Sequence, residues 1–444
     1  MQKPNTANSL SHRQVWMLAG PIMLSNVSVP LVGAVDTAVV GHLPEPAAIG
    51  AVALGALIFS FIYWSFGFLR MGTTGFIARA YGARDQQALA DTLLRVLLLA
   101  LVLGSLTILL AKPLIELSLY LLDSSERIEQ MTSNYAYIRI WSAPATLCTY
   151  VFTGVFIGMQ KTRYAFALQL VLNITNVLLD LLFVIGFDLG VEGVAMATLI
   201  AEYLAAAFGF YLWRAPIKAA IEKFNRQRLF DRQALLALMR ANGDIFVRTL
   251  CLIFSFAYFT AQSAHMGEVM LAANAILLHL QTIMAYGLDG FAHAAEALAG
   301  SAYGARNRDI FKRAVFLTSF WAMIIAVIIS LIYFLLGNFL LGLFTNITEV
   351  LDTATAYLPW MIISPLVSIW SFQLDGIFIG TGHTREMRNA MILSMVIYLA
   401  LLIPLVPWLG NHGLFLGLSL FMVLRAISLG FYYPRILAVF SDDK

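Results

Sequence analysis

The chain has 444 residues, of which 60% are hydrophobic and 12% are charged, and its net charge is +3. Soluble domains carry about 25% charged residues, so this composition excludes a soluble globular protein, a disordered chain and a nucleic-acid-binding protein. The two cysteines, Cys148 and Cys251, lie in apolar runs, which argues against a disulfide framework.

Twelve apolar segments follow one another along the chain, each long enough for a membrane-spanning helix, which takes about 20 residues. We predict spans at 15–40, 47–79, 89–110, 128–158, 162–186, 190–213, 234–265, 269–303, 311–336, 350–381, 388–408 and 413–433. The remaining residues are too few for a soluble catalytic or ATP-binding domain. We therefore expect an all-α polytopic membrane protein that is not an enzyme.

Lysine and arginine are concentrated in alternate connections, as expected for connections on the cytoplasmic side. The basic connections carry Arg79 and Arg84; Lys161 and Arg163; Lys218, Lys223, Arg226, Arg228 and Arg232; Arg306, Arg308, Lys312 and Arg313; Arg385 and Arg388. Among the other connections only the one at 111–127 has basic residues, Lys112 and Arg127, and acidic residues outnumber them there. This pattern predicts that both termini are cytoplasmic.

The chain contains an internal repeat with an offset of 222 residues, half its length. The segment 80–84 (AYGAR) recurs at 302–306, and the segment 154–158 (GVFIG) recurs as GIFIG at 376–380. Each half has six predicted spans, so the halves enter the membrane from the same side and form a parallel repeat. We predict an N-terminal lobe over 1–214, a cytoplasmic linker over 215–233 and a C-terminal lobe over 234–444, related by a pseudo-two-fold axis.

The ionisable residues inside the spans do not follow the repeat. Asp36 aligns with Tyr258, and Asp180 aligns with Leu402. Ionisable groups in a membrane span are costly and are functional candidates by default. The repeated glycines therefore belong to the scaffold, whereas the unrepeated charges indicate where the halves have specialised.

A polar cluster is predicted in the N-terminal lobe. Asp36 lies inside span 1, after Pro21 and Pro30, which bend a helix and are candidate hinge residues. Asn173, Asn176 and Asp180 share one face of span 5, and Thr198 and Glu202 share a face of span 6. We expect these side chains to line a cavity and to bind and release a coupling ion. Interhelical hydrogen bonding is the structural alternative.

The C-terminal lobe offers a second, weaker set of candidates. Asp289, His293 and Glu296 share a face of span 8, where we expect them to be solvated or to form a gate, and Asp375 lies in span 10. We expect no metal site there, because no second histidine cluster is near in sequence. The intramembrane arginines, which we expect to pair with carboxylates or to reach an interface, are Arg70, Arg139, Arg248 and Arg425.

An ordered set of short motifs runs along the chain. The motifs are DTAVVGHL at 36–43, RMGTTG at 70–75, NVLLD at 176–180, LDGFA at 288–292, EMRN at 386–389 and PWLGNH at 407–412. In this set and order, the sequence resembles the multidrug and toxic compound extrusion (MATE) family, in its DinF-like branch. The resemblance covers nearly the whole chain.

The resemblance implies an antiporter that exports small amphipathic compounds, mostly cations, by alternating access of two lobes within the lipid bilayer of the bacterial inner membrane. It implies that the N-lobe cluster of Asp36, Asn176, Asp180 and Thr198 binds the coupling proton, and that span 1 bends at Pro21. In a sodium-linked branch, acids on spans 7 and 10 form a C-lobe site. Asp375 matches the span 10 acid, but span 7 has only Asp244, near its cytoplasmic start.

We accordingly predict a monomeric proton-coupled exporter without a cofactor. Two alternatives keep the same fold: sodium coupling, and a flippase for a lipid-linked precursor. The flippase would favour a cationic cavity, whereas the N-lobe candidates are acidic. A membrane-embedded enzyme would need a nucleophile or metal set such as H-E-x-x-H, and the sequence has none.

Overall fold

The computed structural model describes residues 10–41, 45–122, 124–222 and 225–440, and these residues form helices without any strand. The N-terminal half contains α1 (His12–Val40), α2 (Pro46–Ser65), α3 (Phe68–Gly82), α4 (Gln86–Leu109), α5 (Ala111–Leu122), α6 (Glu126–Arg139), α7 (Ala143–Gly158), α8 (Thr162–Asp180) and α9 (Gly190–Leu212). The second half contains α10 (Arg214–Glu222), α11 (Arg226–Leu229), α12 (Arg232–His265), α13 (Glu268–Gly304), α14 (Arg308–Phe344), α15 (Thr348–Thr381), α16 (Thr384–Leu409) and α17 (Asn411–Ala438).

The helices confirm the predicted membrane-protein fold. Eleven helical segments within the described ranges are long and apolar enough to cross a bilayer. Helix α1, with 29 residues, coincides with the first predicted span and completes the twelve. The predicted boundaries agree to within a few residues, except that α14 continues eight residues beyond the predicted end at 336.

Three of the predicted spans are interrupted. Span 2 breaks between α2 and α3 at Phe66 and Gly67, and span 4 contains a 3-10 turn, Ile140–Ser142, before Pro144. Span 5 ends in a π-helical turn, Leu181–Gly186. Hydropathy continues through all three breaks, because each break changes backbone hydrogen bonding and not side-chain polarity.

Three helices lie where we predicted only connections. Helix α5 occupies the predicted outward connection at 111–127 and buries Ile115 and Leu119, which are one turn apart and therefore on the same face. Helix α11 lies within the predicted linker, and α10 begins one residue before it. These segments are short or amphipathic, so a search for long apolar segments does not find them.

The chain forms two compact units. One contains residues 24–80 and 85–239, and the other contains residues 10–23, 81–84 and 240–440. The division falls inside helix α1, directly after Met23. The first unit has a core around Phe59 and Tyr135, and the second has a core around Phe291 and Phe421.

The internal repeat is visible in the backbone. Three pairs of residues at the 222-residue offset have positive φ angles: Arg84 (56°) and Arg306 (52°), Gln160 (60°) and Gly382 (80°), Asp188 (54°) and Gly410 (55°). The N-caps repeat as well, since Asp85 accepts from the Ala88 amide at 2.9 Å and Asn307 accepts from the Ile310 amide at 3.0 Å. Equivalent turns and caps are what a duplicated fold requires.

The repeated glycines permit close helix packing in both halves, as expected for scaffold residues. A Cβ atom at Gly154 would lie 2.6 Å from the carbonyl oxygen of Arg70. The equivalent atom at Gly376 would lie still closer to the carbonyl oxygen of Ala292, which is itself offset from Arg70 by 222 residues. The same relationship therefore holds between α3 and α7 in one unit and between α13 and α15 in the other.

Candidate functional site

Two carboxyl groups face each other in the unit that contains residues 24–80 and 85–239. Asp36 on α1 and Asp180 on α8 lie within hydrogen-bonding reach of each other, and Asp180 has no exposed surface. Asp180 is the last residue of α8 and immediately precedes the π-helical turn. Such turns frequently occur at functional sites, because they redirect side chains within a helix.

The aspartate pair has few other partners. Apart from the facing carboxyl group, no described residue donates a hydrogen bond to either oxygen of Asp180 or to Oδ1 of Asp36. Two ionised carboxylates at this separation repel each other, whereas a single shared proton converts the repulsion into a hydrogen bond. The geometry is therefore suited to hold and release a proton.

The amide side chains of α8 connect it to its neighbouring helices. Asn176 donates to Thr198 Oγ1 on α9 at 3.3 Å, and Asn173 donates to Ser28 Oγ on α1 at 2.8 Å. Both asparagines are buried. The predicted N-lobe residues are thus brought together, and within this set the two amides serve as interhelical hydrogen bonds while the two acids face each other.

Arg139 lies beside the acidic pair. It is the last residue of α6 before the 3-10 turn, and its guanidinium donates to the Tyr135 hydroxyl at 2.6 Å and lies 4.9 Å from the centre of the Phe59 ring. The guanidinium acts electrostatically on Asp36 and on Asp180. An arginine is always ionised, so the site contains one permanent positive charge.

The structure gives Glu202 different neighbours from those we expected. Thr198 joins Asn176 near the aspartate pair, whereas Glu202, one turn further along α9, is buried within range of Arg139 and of the Thr146 hydroxyl. Sequence reasoning missed Thr146 entirely. Its role depends on contacts between helices that are separated by about 50 residues, and no local spacing signals them.

The C-terminal half contains a paired charge cluster. Asp375 Oδ2 accepts a hydrogen bond from Arg425 Nη2 at 2.5 Å and another from Arg248. All three residues are buried. These contacts confirm the expectation that Arg248 and Arg425 pair with a carboxylate. A carboxylate already paired with two guanidinium groups presents no free negative charge to a cation.

The predicted polar face of span 8 is only partly solvated. Glu296 was expected to be solvated or to form part of a gate. It has no exposed surface, and His293 Nδ1 lies 3.2 Å from its Oε2, so it is not solvated. At this point α15 packs closely against α13, where Gly380 meets the Glu296 backbone. Asp289 is partly buried and acts on Arg425 and on Tyr286.

The remaining candidates lie near helix ends or in α1. Asp244 near the start of α12 accepts a hydrogen bond from Arg388 at 2.6 Å, so this acid is also paired. Pro21 lies in α1 shortly before the division between the two units. Pro30 lies in α1 as well, and its side chain is outside the described residues.

The family model MatE matches the chain twice, over residues 21–182 and over residues 245–404. The chain belongs to the MATE family. The two matches lie in the two halves of the repeat, so each half of this MATE protein carries the family pattern.

Curated relatives cover nearly the full length of this MATE protein. It is 41% identical to DNA damage-inducible protein F of Escherichia coli (strain K12), over 96% of this chain and 92% of that one. It is 25% identical to Protein DETOXIFICATION 44, chloroplastic, of Arabidopsis thaliana, over 96% and 83%. It is 21% identical to the Multidrug export protein MepA of Staphylococcus aureus (strain MRSA252), over 92% and 90%.

Solved structures share the fold. Crystal structures of a MATE protein in the bent and in the straight conformation both match with a TM-score of 0.87, 21% identity and 96% coverage of each chain. An outward-facing multidrug resistance MATE transporter of the MOP superfamily matches with a TM-score of 0.86, 21% identity and the same coverage. The protein is therefore a multi-pass membrane protein with the architecture of these transporters.

Proposed function

We propose that the protein exports small amphipathic compounds, mainly cations, in exchange for protons that bind the Asp36–Asp180 pair. The facing carboxyl groups, of which that of Asp180 is fully buried, are the observation that carries this proposal. A proton from outside binds the pair and favours the release of cargo. Loss of that proton to the cytoplasm restores a negative charge that attracts the next cationic cargo. A relative named as a multidrug export protein supports the export of drugs.

The distribution of charge supports protons over sodium. Asp375, which corresponds to the span 10 acid of the sodium-linked branch, is paired with Arg248 and Arg425. Asp244, the span 7 acid, is paired with Arg388. The Asp36–Asp180 pair, in contrast, has no guanidinium hydrogen-bonded to it within the described residues. The coupling ion is proposed to bind in the N-terminal half, where an unpaired acid remains.

The same residues disfavour a flippase for lipid-linked precursors. Among the described residues, the carboxyl groups at the proposed site are three in number, and one guanidinium, that of Arg139, acts on all of them. A phosphate-binding cavity needs a surplus of donors and positive charge. The acidic surplus suits a cationic cargo instead.

Alternating access is proposed to use a bend in α1 at Pro21. A proline removes a backbone hydrogen bond and gives a helix a defined point of bending. Pro21 lies two residues before the division between the compact units, and solved relatives with bent and straight conformations match the fold equally well. We propose that both termini lie in the cytoplasm, because the basic residues lie in alternate connections. We also propose that the protein works as a monomer in the bacterial inner membrane.

The test is transport by purified protein in vesicles, with a proton gradient and a sodium gradient imposed separately. We expect ethidium transport to follow the proton gradient and to be lost in Asp36→Asn and in Asp180→Asn. Asp188→Asn is the matched control, because Asp188 is exposed and asparagine tolerates its positive φ angle. Transport driven by sodium alone, or wild-type transport in both pair variants, would refute the proposal.

A further inference from the structure

Glu202 is a third buried acid in the unit that holds the aspartate pair. It lies on α9 with 9% of its surface exposed, and its Oε2 atom has no hydrogen-bond partner among the described residues. An acid in such surroundings is costly when ionised unless a cation or a proton neutralises it. The groups around Glu202 therefore decide its charge.

Three helices bring polar groups towards Glu202. Helix α6 contributes Arg139, α2 contributes Tyr63, and α7 contributes Thr146 and Tyr150. The Tyr63 hydroxyl lies 3.0 Å from Ser142 Oγ, which lies 3.4 Å from Thr146 Oγ1. Arg70 on α3 acts on Tyr150. Tyrosine and hydroxyl groups are neutral near physiological pH, so Arg139 is the charged group that acts directly on Glu202.

Arg139 also acts on the aspartate pair, so one guanidinium stabilises the ionised form of three carboxyl groups. Its Nε atom is buried without a hydrogen-bond partner in the described part of the chain. One permanent positive charge balances one ionised carboxylate. The other two carboxyl groups are costly to ionise in a low-dielectric interior, so each of them favours binding a proton.

We propose that Glu202 binds a second exchangeable proton, so that this unit carries two protons in each cycle, one on the Asp36–Asp180 pair and one on Glu202. The proposal rests on the proton coupling proposed above and adds the number of protons and the second binding residue. Arg139 links the two positions, because it stabilises whichever carboxylate is ionised.

The hydroxyl chain gives Glu202 partners in both protonation states. A hydroxyl group can donate to an ionised carboxylate and can accept from a carboxylic acid. The Thr146 hydroxyl, which donates to the Ser142 carbonyl oxygen at 3.1 Å, acts on Glu202 and can turn to serve either state. The chain continues through Ser142 to Tyr63, and all three of these residues are buried.

The number of protons is measured in vesicles with the membrane potential clamped. An outward ethidium gradient is opposed by graded pH differences, and the balance point gives the ratio of protons to cargo. We expect two protons per ethidium in the wild type and one in Glu202→Gln. Glu192→Gln is the matched control and keeps a ratio of two, because Glu192 lies on the same helix and is exposed.

Each outcome separates the two proposals. A wild type that ignores the pH difference refutes proton coupling itself. A wild type with one proton per ethidium, or a Glu202→Gln variant that keeps two, overturns the role of Glu202 and leaves the aspartate pair in place. If Glu202→Gln does not fold, infrared difference spectra after a pH jump are recorded for the wild type and for Glu202→Asp. The wild type should show two protonated-carboxyl bands, one from the aspartate pair and one from Glu202, and Glu202→Asp should shift one of them. An unchanged spectrum would overturn the proposal.

Discussion

Asp375 Oδ2 lies 2.5 Å from Nη2 of Arg425, and the same oxygen also accepts from Arg248. One buried oxygen atom thus connects α12, α15 and α17 within a single compact unit. Because two guanidinium groups depend on one carboxylate, this residue is expected to support the fold of the C-terminal half more than to bind a transported ion.

Replacing Asp375 with Asn is expected to destabilise the protein. The change leaves two buried positive charges without their carboxylate, and breaking a buried ion pair on one side costs about 3 to 5 kcal/mol. The thermal unfolding midpoint of the detergent-solubilised variant, measured by the loss of monodisperse protein, should fall by several degrees. Glu349→Gln, an exposed change near the start of the same helix, should leave the midpoint unchanged.

Alanine at Gly376 is expected to disrupt the packing of α15 against α13. The added Cβ would collide with the carbonyl oxygen of Ala292, which belongs to helix backbone and cannot rotate away. Overpacking of this kind costs about 1 to 3 kcal/mol. Gly154→Ala should also destabilise the protein, because its Cβ would lie 2.6 Å from the Arg70 carbonyl oxygen.

Gly430 provides the control for both glycine changes. It lies inside helix α17, and a Cβ there would meet no atom within 4 Å. Alanine is preferred to glycine in a helix interior by about 0.5 to 1 kcal/mol. Gly430→Ala should therefore raise the unfolding midpoint slightly, and a fall equal to that of Gly376→Ala would contradict the close-packing explanation.

The reciprocal amide pair between Asn274 and Asn411 is expected to hold α13 against α17. Each amide nitrogen donates to the other side chain's oxygen, at 2.7 and 2.8 Å, and both residues are buried. Asn411→Ala leaves the Asn274 oxygen without its donor, at a cost of about 1 to 3 kcal/mol. Unfolding midpoints should show this loss, whereas Asn346→Ala in an exposed loop should show none.

The exposed pair of Glu45 and Arg127 predicts a small dependence of stability on pH. The guanidinium, whose Nε lies 2.6 Å from Glu45 Oε1, holds the pKa of Glu45 below its ordinary value of 4.5. Its contribution is therefore present above pH 4.5 and is lost as the pH falls through the lowered pKa.

Arg127→Gln should lower the unfolding midpoint near neutral pH and have no effect near pH 3, which lies below the ordinary range for carboxyl groups. High salt should reduce the difference at neutral pH, because exposed charges are screened. Lys112→Gln serves as the comparison, since Lys112 lies 3.8 Å from Glu116 in a more exposed pair. A difference that persists at low pH would show that Arg127 acts through packing instead.

Local patterns were sufficient for the helices but not for the site. Apolar length predicted the twelve spans, and the i, i+3, i+7 spacing correctly placed Asn173, Asn176 and Asp180 on one buried face. The positions of the breaks at Gly67 and at Ile140–Ser142 were not predicted, because the hydropathy of these segments does not change where their backbone hydrogen bonding does.

Individual pairs of residues that are distant in sequence could not be predicted. Asp36 and Asp180, 144 positions apart, were expected only as members of one polar cluster, and Asp375 was not matched with Arg248, 127 positions away. A single sequence contains no periodicity that joins such residues, since their contact is created by helix packing. The expectation that buried charges would find opposite charges held for Asp375 because an isolated charge in an apolar interior is too costly. That expectation did not indicate which arginines would pair with Asp375.

The left-handed turns of the two halves have a consequence for tracing the ancestry of such proteins. Gln160 corresponds to Gly382 and Asp188 to Gly410, so the backbone conformation is the same in each pair although the residue is different. The backbone conformation at these turns is the same in the two halves, whereas the residues that adopt it differ. Positions of left-handed residues can therefore serve as landmarks for aligning duplicated membrane proteins whose halves no longer share a recognisable sequence.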